Sequence, residues 1–127
     1  MKRDIKFRGK SIKSGEWHYG DYLRFNGRHF VDNFEIDPET LGQYTGMTDI
    51  HGKEIYEGDI VDYLKHRVDR TGYIEEGCVE FRAEEQANVV ISNFYTRDGR
   101  ERVHNIINCL ESLKVVGNIH DNQNIPK

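Results

Sequence analysis

Along most of the chain apolar positions alternate with polar ones more often than they recur at spacings of three and four, and turn-forming residues interrupt the pattern at short intervals. Alternation places successive side chains on opposite faces of a strand, so the pattern predicts a β protein. Ile5 and Phe7 alternate with charged neighbours before Lys-Ser-Gly-Glu at 13–16 turns the chain into Trp17-His18-Tyr19-Gly20. Residues 22–25 run into Asn26-Gly27, a dipeptide that accepts positive φ at both centres of a two-residue hairpin, and return through His29, Phe30 and Val31. Asp37-Pro38 breaks the pattern, because proline lacks an amide hydrogen and moves its predecessor away from helical backbone, and a loop is expected from there to Gly52. Residues 55–64 read as one strand, kinked or bulged at Gly58.

In the second half, residues 65–72 form a charged excursion, Glu75-Glu76-Gly77 reads as a turn, and a short strand follows from Cys78. The β-branched and aromatic stretch 89–95 meets 103–107 across Arg97-Asp98-Gly99 as another hairpin, and 114–119 supplies a last strand. Helical material is confined to 83–87 and a turn near 109–113, both under the roughly 12 residues at which an isolated helix becomes marginally stable. The expectation is a mainly β domain of about seven to nine short antiparallel strands, an estimate from turn spacing. It occupies residues 1–120 and leaves a polar C-terminal tail over 121–127 that frays.

Composition sharpens the picture in three places. A chain of 127 residues suits one domain, and its seven Tyr, six Phe and one Trp exclude a disordered polymer despite 31% charged residues. The formal net charge of -4 argues against a general affinity for nucleic acid, which rests on clustered cations. A local exception lies at 2–13, where Lys2, Arg3, Lys6, Arg8, Lys10 and Lys13 face the single acid Asp4. With Trp17, Tyr19, Tyr22, Phe25 and Phe30 close by, this segment has the ingredients of a base-stacking platform, although alternation turns most of those rings toward the core. Cys78 and Cys109 read as free thiols in a reducing compartment, and no apolar run after Met1 suits a signal peptide or membrane span, so a cytoplasmic location is expected.

The six histidines match no metal-ligand spacing, and Gly52-Lys53 is followed by Glu54 rather than by the hydroxyl a phosphate loop needs. Glu54, Glu57 and Asp59 are the carboxylates that invite a catalytic reading. On one strand face, Glu57 and Asp59 would raise one another's pKa and supply acid and base partners. A bend at the sheet surface, with Asp59 accepting a loop amide, gives the same residues and is preferred. No catalytic residue, metal or cofactor is assigned.

Thr40-Leu41-Gly42-Gln43-Tyr44-Thr45-Gly46, then Asp49, then Gly52-Lys53-Glu54-Ile55-Tyr56-Glu57-Gly58-Asp59-Ile60-Val61 resembles the signature of the YopX-like family of phage and prophage proteins. Val115-Val116-Gly117-Asn118-Ile119 is similar to the stretch that closes members of that family, and Lys6-Phe7-Arg8 to a segment near their start. The resemblance implies a small barrel-like (SH3-like) β domain encoded by a phage or prophage, working in the bacterial host cytoplasm, with no assigned catalytic residues. Together with aromatic-rich hairpins and exposed sheet edges, it leads to the expectation of a non-enzymatic, self-associating interaction module acting on a host or phage macromolecule. The candidate binding residues are Tyr44, Tyr56, Glu57, Asp59, Lys6, Arg8 and Trp17. The alternatives are a nucleic-acid-binding accessory protein using the basic and aromatic N-terminal surface and, behind it, a hydrolase or nuclease built on Glu54, Glu57 and Asp59. A homo-oligomer is expected, and no membrane partner.

Overall fold

Tight turns set the architecture of the first part of the chain. In the computed structural model, which describes residues 5–66, 69–84, 86–95 and 99–121, Asn26 and Gly27 take φ of 51° and 73° and close the predicted hairpin. A second two-residue turn follows at Asp32-Asn33, with φ of 52° and 67°, side chains that tolerate left-handed backbone without glycine. The three strands these turns join are β3 (Tyr22–Phe25), β4 (Arg28–Val31) and β5 (Phe34–Glu35), paired in that order. A second antiparallel set places β1 (Phe7–Lys10) between β2 (Trp17–Gly20) and β6 (Gly42–Thr48). A single 3-10 turn at Pro38–Thr40 precedes β6, capped by the Asp37 carboxylate, which accepts the Glu39 amide at 3.0 Å. Val31 and Ile36 are completely buried, and Gly9 lets the Ile36 side chain reach the β1 backbone, since a Cβ at Gly9 would lie 2.9 Å from it.

Contacts divide the chain into two compact units, Met1–Met47 and Thr48–Lys127. The second contains β7 (Glu54–Tyr56), β8 (Asp59–His66), β9 (Gly72–Arg82), β10 (Ala87–Tyr95), β11 (Glu101–Asn105) and β12 (Lys114–Asn118), with a 3-10 turn at Ile106–Asn108. Five of these strands form one antiparallel sheet in the order β11-β10-β9-β8-β12. Register places Val61 and Tyr63 of β8, Glu75, Gly77 and Val79 of β9, Val90 and Ser92 of β10, and His104 of β11 on one face. Ile106 and Leu113 are buried with them in the core.

The fold is mainly β with antiparallel pairing throughout, and among the described residues it has no α-helix. Several sequence expectations need correction. Among the described residues twelve strands form rather than seven to nine, because Asp32-Asn33 is a turn and the loop expected up to Gly52 contains β6. The stretch at 55–64 is two strands, since Gly58 takes φ 91° in a turn that separates β7 from β8. Glu75-Glu76-Gly77 lies inside β9 rather than in a turn, and Gly77 is required there by close approach: a Cβ would lie 2.6 Å from the Ile91 carbonyl oxygen. Where a helix was expected at 83–87, β9 ends at Arg82 and β10 begins at Ala87, with the Gln86 amide donating to the Ala83 carbonyl at 3.1 Å. No barrel closure is found among the described residues, because short turns split the first strands into small sheets. Lys2, Arg3, Arg97, Asp98 and the tail beyond Asp121 lie outside the described residues.

Candidate functional site

The seven candidate residues separate into two groups. Within the first unit, register puts Lys6, Arg8 and Lys10 on the same sheet face as Trp17, Tyr19 and Tyr44. Cations lie against rings: the Arg8 guanidinium is 4.7 Å from the Trp17 centroid, Lys10 Nζ 5.6 Å from it, and Lys6 Nζ 5.4 Å from the Tyr44 centroid. Arg8 is 5% exposed, so its charge is built into the fold rather than held out as a phosphate-binding arm. Lys6, Lys10, Trp17 and Tyr44 are half-buried, while Tyr19 is exposed.

The expectation that the hairpin aromatics mostly face the core fails for two of the five. Trp17, Tyr22 and Phe30 are half-buried, but Tyr19 and Phe25 are exposed. For Phe25 the cause is register, since it shares with Leu23 the face of the three-stranded sheet opposite to buried Val31. Phe34, on the Val31 face, stacks at 3.8 Å on His18. A shallow cleft of about 250 Å³ lies nearby, lined by Ser11, Lys13, Phe30, Asn33, Phe34 and Glu35. Ser11 is not poised as a nucleophile, because its Oγ accepts the Lys13 and Ser14 amides at 3.2 and 3.3 Å.

In the second unit the signature carboxylates organise backbone. Asp59 is 1% exposed and its Oδ2 accepts the Tyr56 amide at 2.8 Å, closing the Tyr-Glu-Gly-Asp turn. The Gly58 amide donates to the Val79 carbonyl at 2.8 Å, and the Gly58 carbonyl accepts the Ile119 amide at 2.9 Å, so the turn is tied to β9 and to the end of β12. Glu57 is half-buried within the turn and does not lie on β8 beside Asp59, which removes the strand-face dyad considered from spacing. Tyr56 is buried, and its hydroxyl donates to Glu54 Oε1 at 3.0 Å.

Asp49 does more than composition suggested. Its Oδ1 accepts the His51 and Lys53 amides at 2.8 and 2.9 Å, and its Oδ2 accepts the Val115 amide at 3.0 Å. Burial alone would push this carboxyl up, but the amides of Val115, Lys53 and His51 and the nearby His51 charge hold it below the usual carboxylate range. One aspartate therefore joins both quoted motifs, the stretch around residues 43–61 and the Val-Val-Gly-Asn-Ile segment.

Sequence reading missed a connected polar cluster on the buried face of the five-stranded sheet. Glu75 is fully buried; its Oε2 accepts the Tyr63 hydroxyl at 2.7 Å and lies 3.1 Å from His104 Nε2, and its Oε1 lies 3.0 Å from Arg102 Nη1. Ser92 completes the group through hydrogen bonds to Glu75 and Tyr63. Burial raises the Glu75 carboxyl, but the Tyr63 bond, the Arg102 charge and the His104 and Ser92 bonds outweigh it and leave it below the ordinary glutamate value. Burial and the Lys65 charge pull the His104 imidazole below its usual value despite Glu75. The neutral ring then donates its Nε2 hydrogen to Glu75 at neutral pH. Burial, then the bond to Glu75, holds the Tyr63 phenol far above its usual value, and burial raises the Cys109 thiol. The Tyr63 hydroxyl and the Cys109 thiol stay protonated and the Glu75 carboxylate is engaged by its neighbours, so the cluster ties β8, β9, β10 and β11 together. The signal available beforehand was the alternation of Tyr63 and Glu75 with solvent-facing neighbours, hidden by reading Glu-Glu-Gly as a turn.

Among the described residues no three His, Cys, Asp or Glu side chains are placed to hold a metal ion. Cys78 and Cys109 are both free thiols.

These features define a small antiparallel β protein in which loop carboxylates hold backbone amides. The family model described as YopX protein matches residues 5–125, and the chain belongs to that family. No curated protein matches the chain.

Proposed function

We propose that this YopX family chain is a non-catalytic interaction module that associates with copies of itself through its three-stranded sheet. The observation that carries the reading is the exposure of Leu23 and Phe25, 57% and 62%, side by side on one face of a short sheet. Adjacent exposed apolar side chains supply the apolar contact on which an association surface is built. The same sheet face carries Arg28 and Glu35, 4.0 Å apart, so it holds both signs of charge and presents no net repulsion to its own copy. The signature carboxylates point the same way by their use, since Asp49 and Asp59 hold backbone amides.

Sedimentation equilibrium over a wide concentration range tests it. The mass should rise from the 14.9 kDa of one chain as concentration increases, and a mass fixed at 14.9 kDa throughout would overturn the reading.

A second reading is favoured by the row of Lys6, Arg8 and Lys10 beside Trp17, Tyr19 and Tyr44: a single-stranded nucleic acid stacking on the exposed Tyr19 ring. It requires affinity for an oligonucleotide that falls steeply with salt and drops when Lys6 and Lys10 are neutralised. Salt-insensitive or absent binding ends it.

A further inference from the structure

The β3 edge gives the self-association proposed above a specific geometry. The outer side of β5 is occupied: Ser11 bridges to Ile36, the Ile12 amide donates to the Glu35 carbonyl at 3.1 Å, and the Asp37 amide donates to the Lys10 carbonyl at 2.9 Å. At the other side of the sheet, β3 pairs with β4 alone among the described residues. The Asp32 amide donates to the Asp21 carbonyl at 3.1 Å, which makes Asp21 and Asp32 a hydrogen-bonded pair. Alternation along an antiparallel ladder then makes Leu23 with Phe30, and Phe25 with Arg28, the next such pairs. The amides and carbonyls of Tyr22 and Arg24 therefore point outward, away from β4. Natural edges are commonly blunted by proline, a bulge or inward charge, and β3 has neither proline nor bulge.

We propose that β3 pairs antiparallel with β3 of a second copy about a two-fold axis at Leu23, joining two three-stranded sheets into one. In this register Tyr22 of each copy lies opposite Arg24 of the other, and all the outward amides and carbonyls of both residues are satisfied reciprocally. A cation then lies beside an aromatic ring on each side of the axis. Centring the pairing on Arg24 instead places guanidinium against guanidinium and sets Tyr22 against the turn residue Asn26, so the chain's own side chains select the Leu23 register. The two Leu23 side chains meet at the axis, and the apolar faces bearing Leu23 and Phe25 become continuous.

Two variants of the full chain test the geometry. At the axis Leu23 faces its own copy in a non-hydrogen-bonded pair with Cα atoms about 4.5 Å apart, within disulfide range, whereas Phe25 residues would be about 13 Å apart. Mild oxidation with glutathione disulfide should therefore cross-link Leu23→Cys, mapped by mass spectrometry, and leave Phe25→Cys uncross-linked. Arg24→Pro removes an outward amide hydrogen without touching the β4 ladder, and should raise the dimer dissociation constant about tenfold or more while circular dichroism stays native. Cross-linking at Phe25→Cys but not at Leu23→Cys, or unchanged dimerisation of folded Arg24→Pro, overturns the edge geometry and leaves self-association standing. A wild-type chain that stays monomeric removes both.

Discussion

Replacing Glu75 with glutamine retains its shape and removes its charge, so it isolates what the buried cluster contributes. With the carbonyl oxygen in the Oε2 position the Tyr63 hydroxyl and the His104 ring keep their acceptor, but the new amide group turns a donor toward the Arg102 guanidinium, which the carboxylate had faced with a charged oxygen 3.0 Å away. Hydrogen bonds to a charged acceptor contribute about 1.5–3 kcal/mol each. The Arg102 pair is discounted because its guanidinium side is 27% exposed and partly solvated. The expected loss at neutral pH is about 2–4 kcal/mol, which for a chain of this size lowers the melting temperature by roughly 8–16 °C. Differential scanning calorimetry at pH 7 measures it directly. The pH dependence supplies an independent sign. Because the Glu75 carboxyl lies below its ordinary value of 4.5 in the fold, its contribution is fully present above 4.5 and is lost as pH falls through the folded value. The gap between wild type and Glu75→Gln therefore narrows when the pH is taken well below 4.5. Indistinguishable melting temperatures at pH 7, or a gap that widens in that acid range, would refute the role given to the cluster.

Other expected outcomes follow from the same geometry. Gly77→Ala forces a Cβ to within 2.6 Å of the Ile91 carbonyl oxygen and should destabilise by about 2–4 kcal/mol or prevent folding, read by chemical denaturation. Asp49→Ala leaves the His51, Lys53 and Val115 amides without their carboxylate and should cost about 1–3 kcal/mol, with faster hydrogen exchange at the Val115 amide as its local signature. His104 lies below its ordinary 6.5 in the fold, so its neutral form contributes stability above that value which is lost as pH falls through the folded one. His104→Gln should flatten the melting-temperature profile as the pH is taken down from neutral through and below 6.5.

Alternation and turn chemistry carried the fold class, and the Asn26-Gly27 hairpin formed where positive φ was needed. What sequence reading lost were elements whose local signals mislead. Asp32-Asn33 turns without glycine, and β6 continues through Gly46, which takes φ 84° inside a strand. Glu75-Glu76-Gly77 looks like a surface turn because a buried glutamate is legible only from partners on other strands. The site residues behaved similarly. Spacing brought Glu57 and Asp59 to notice, and the structure assigns Asp59 to a turn amide, as the preferred reading held. Arg8 stood out as one cation of the basic segment at 2–13, but the Trp17 ring and its burial make it part of the packing. The apolar face at Leu23 and Phe25 depends on which side of the sheet is covered, and alternation alone does not specify that.

Sedimentation equilibrium on the unmodified chain, Asp59→Asn and Leu23→Asp, all well below their melting temperatures, separates scaffold from interface. Asp59→Asn should leave the dimer dissociation constant within about twofold of wild type, and Leu23→Asp should raise it about tenfold or more. The reverse pattern, with association weakened by Asp59→Asn and untouched by Leu23→Asp, would contradict the division of labour between the amide-holding signature and the exposed edge of β3.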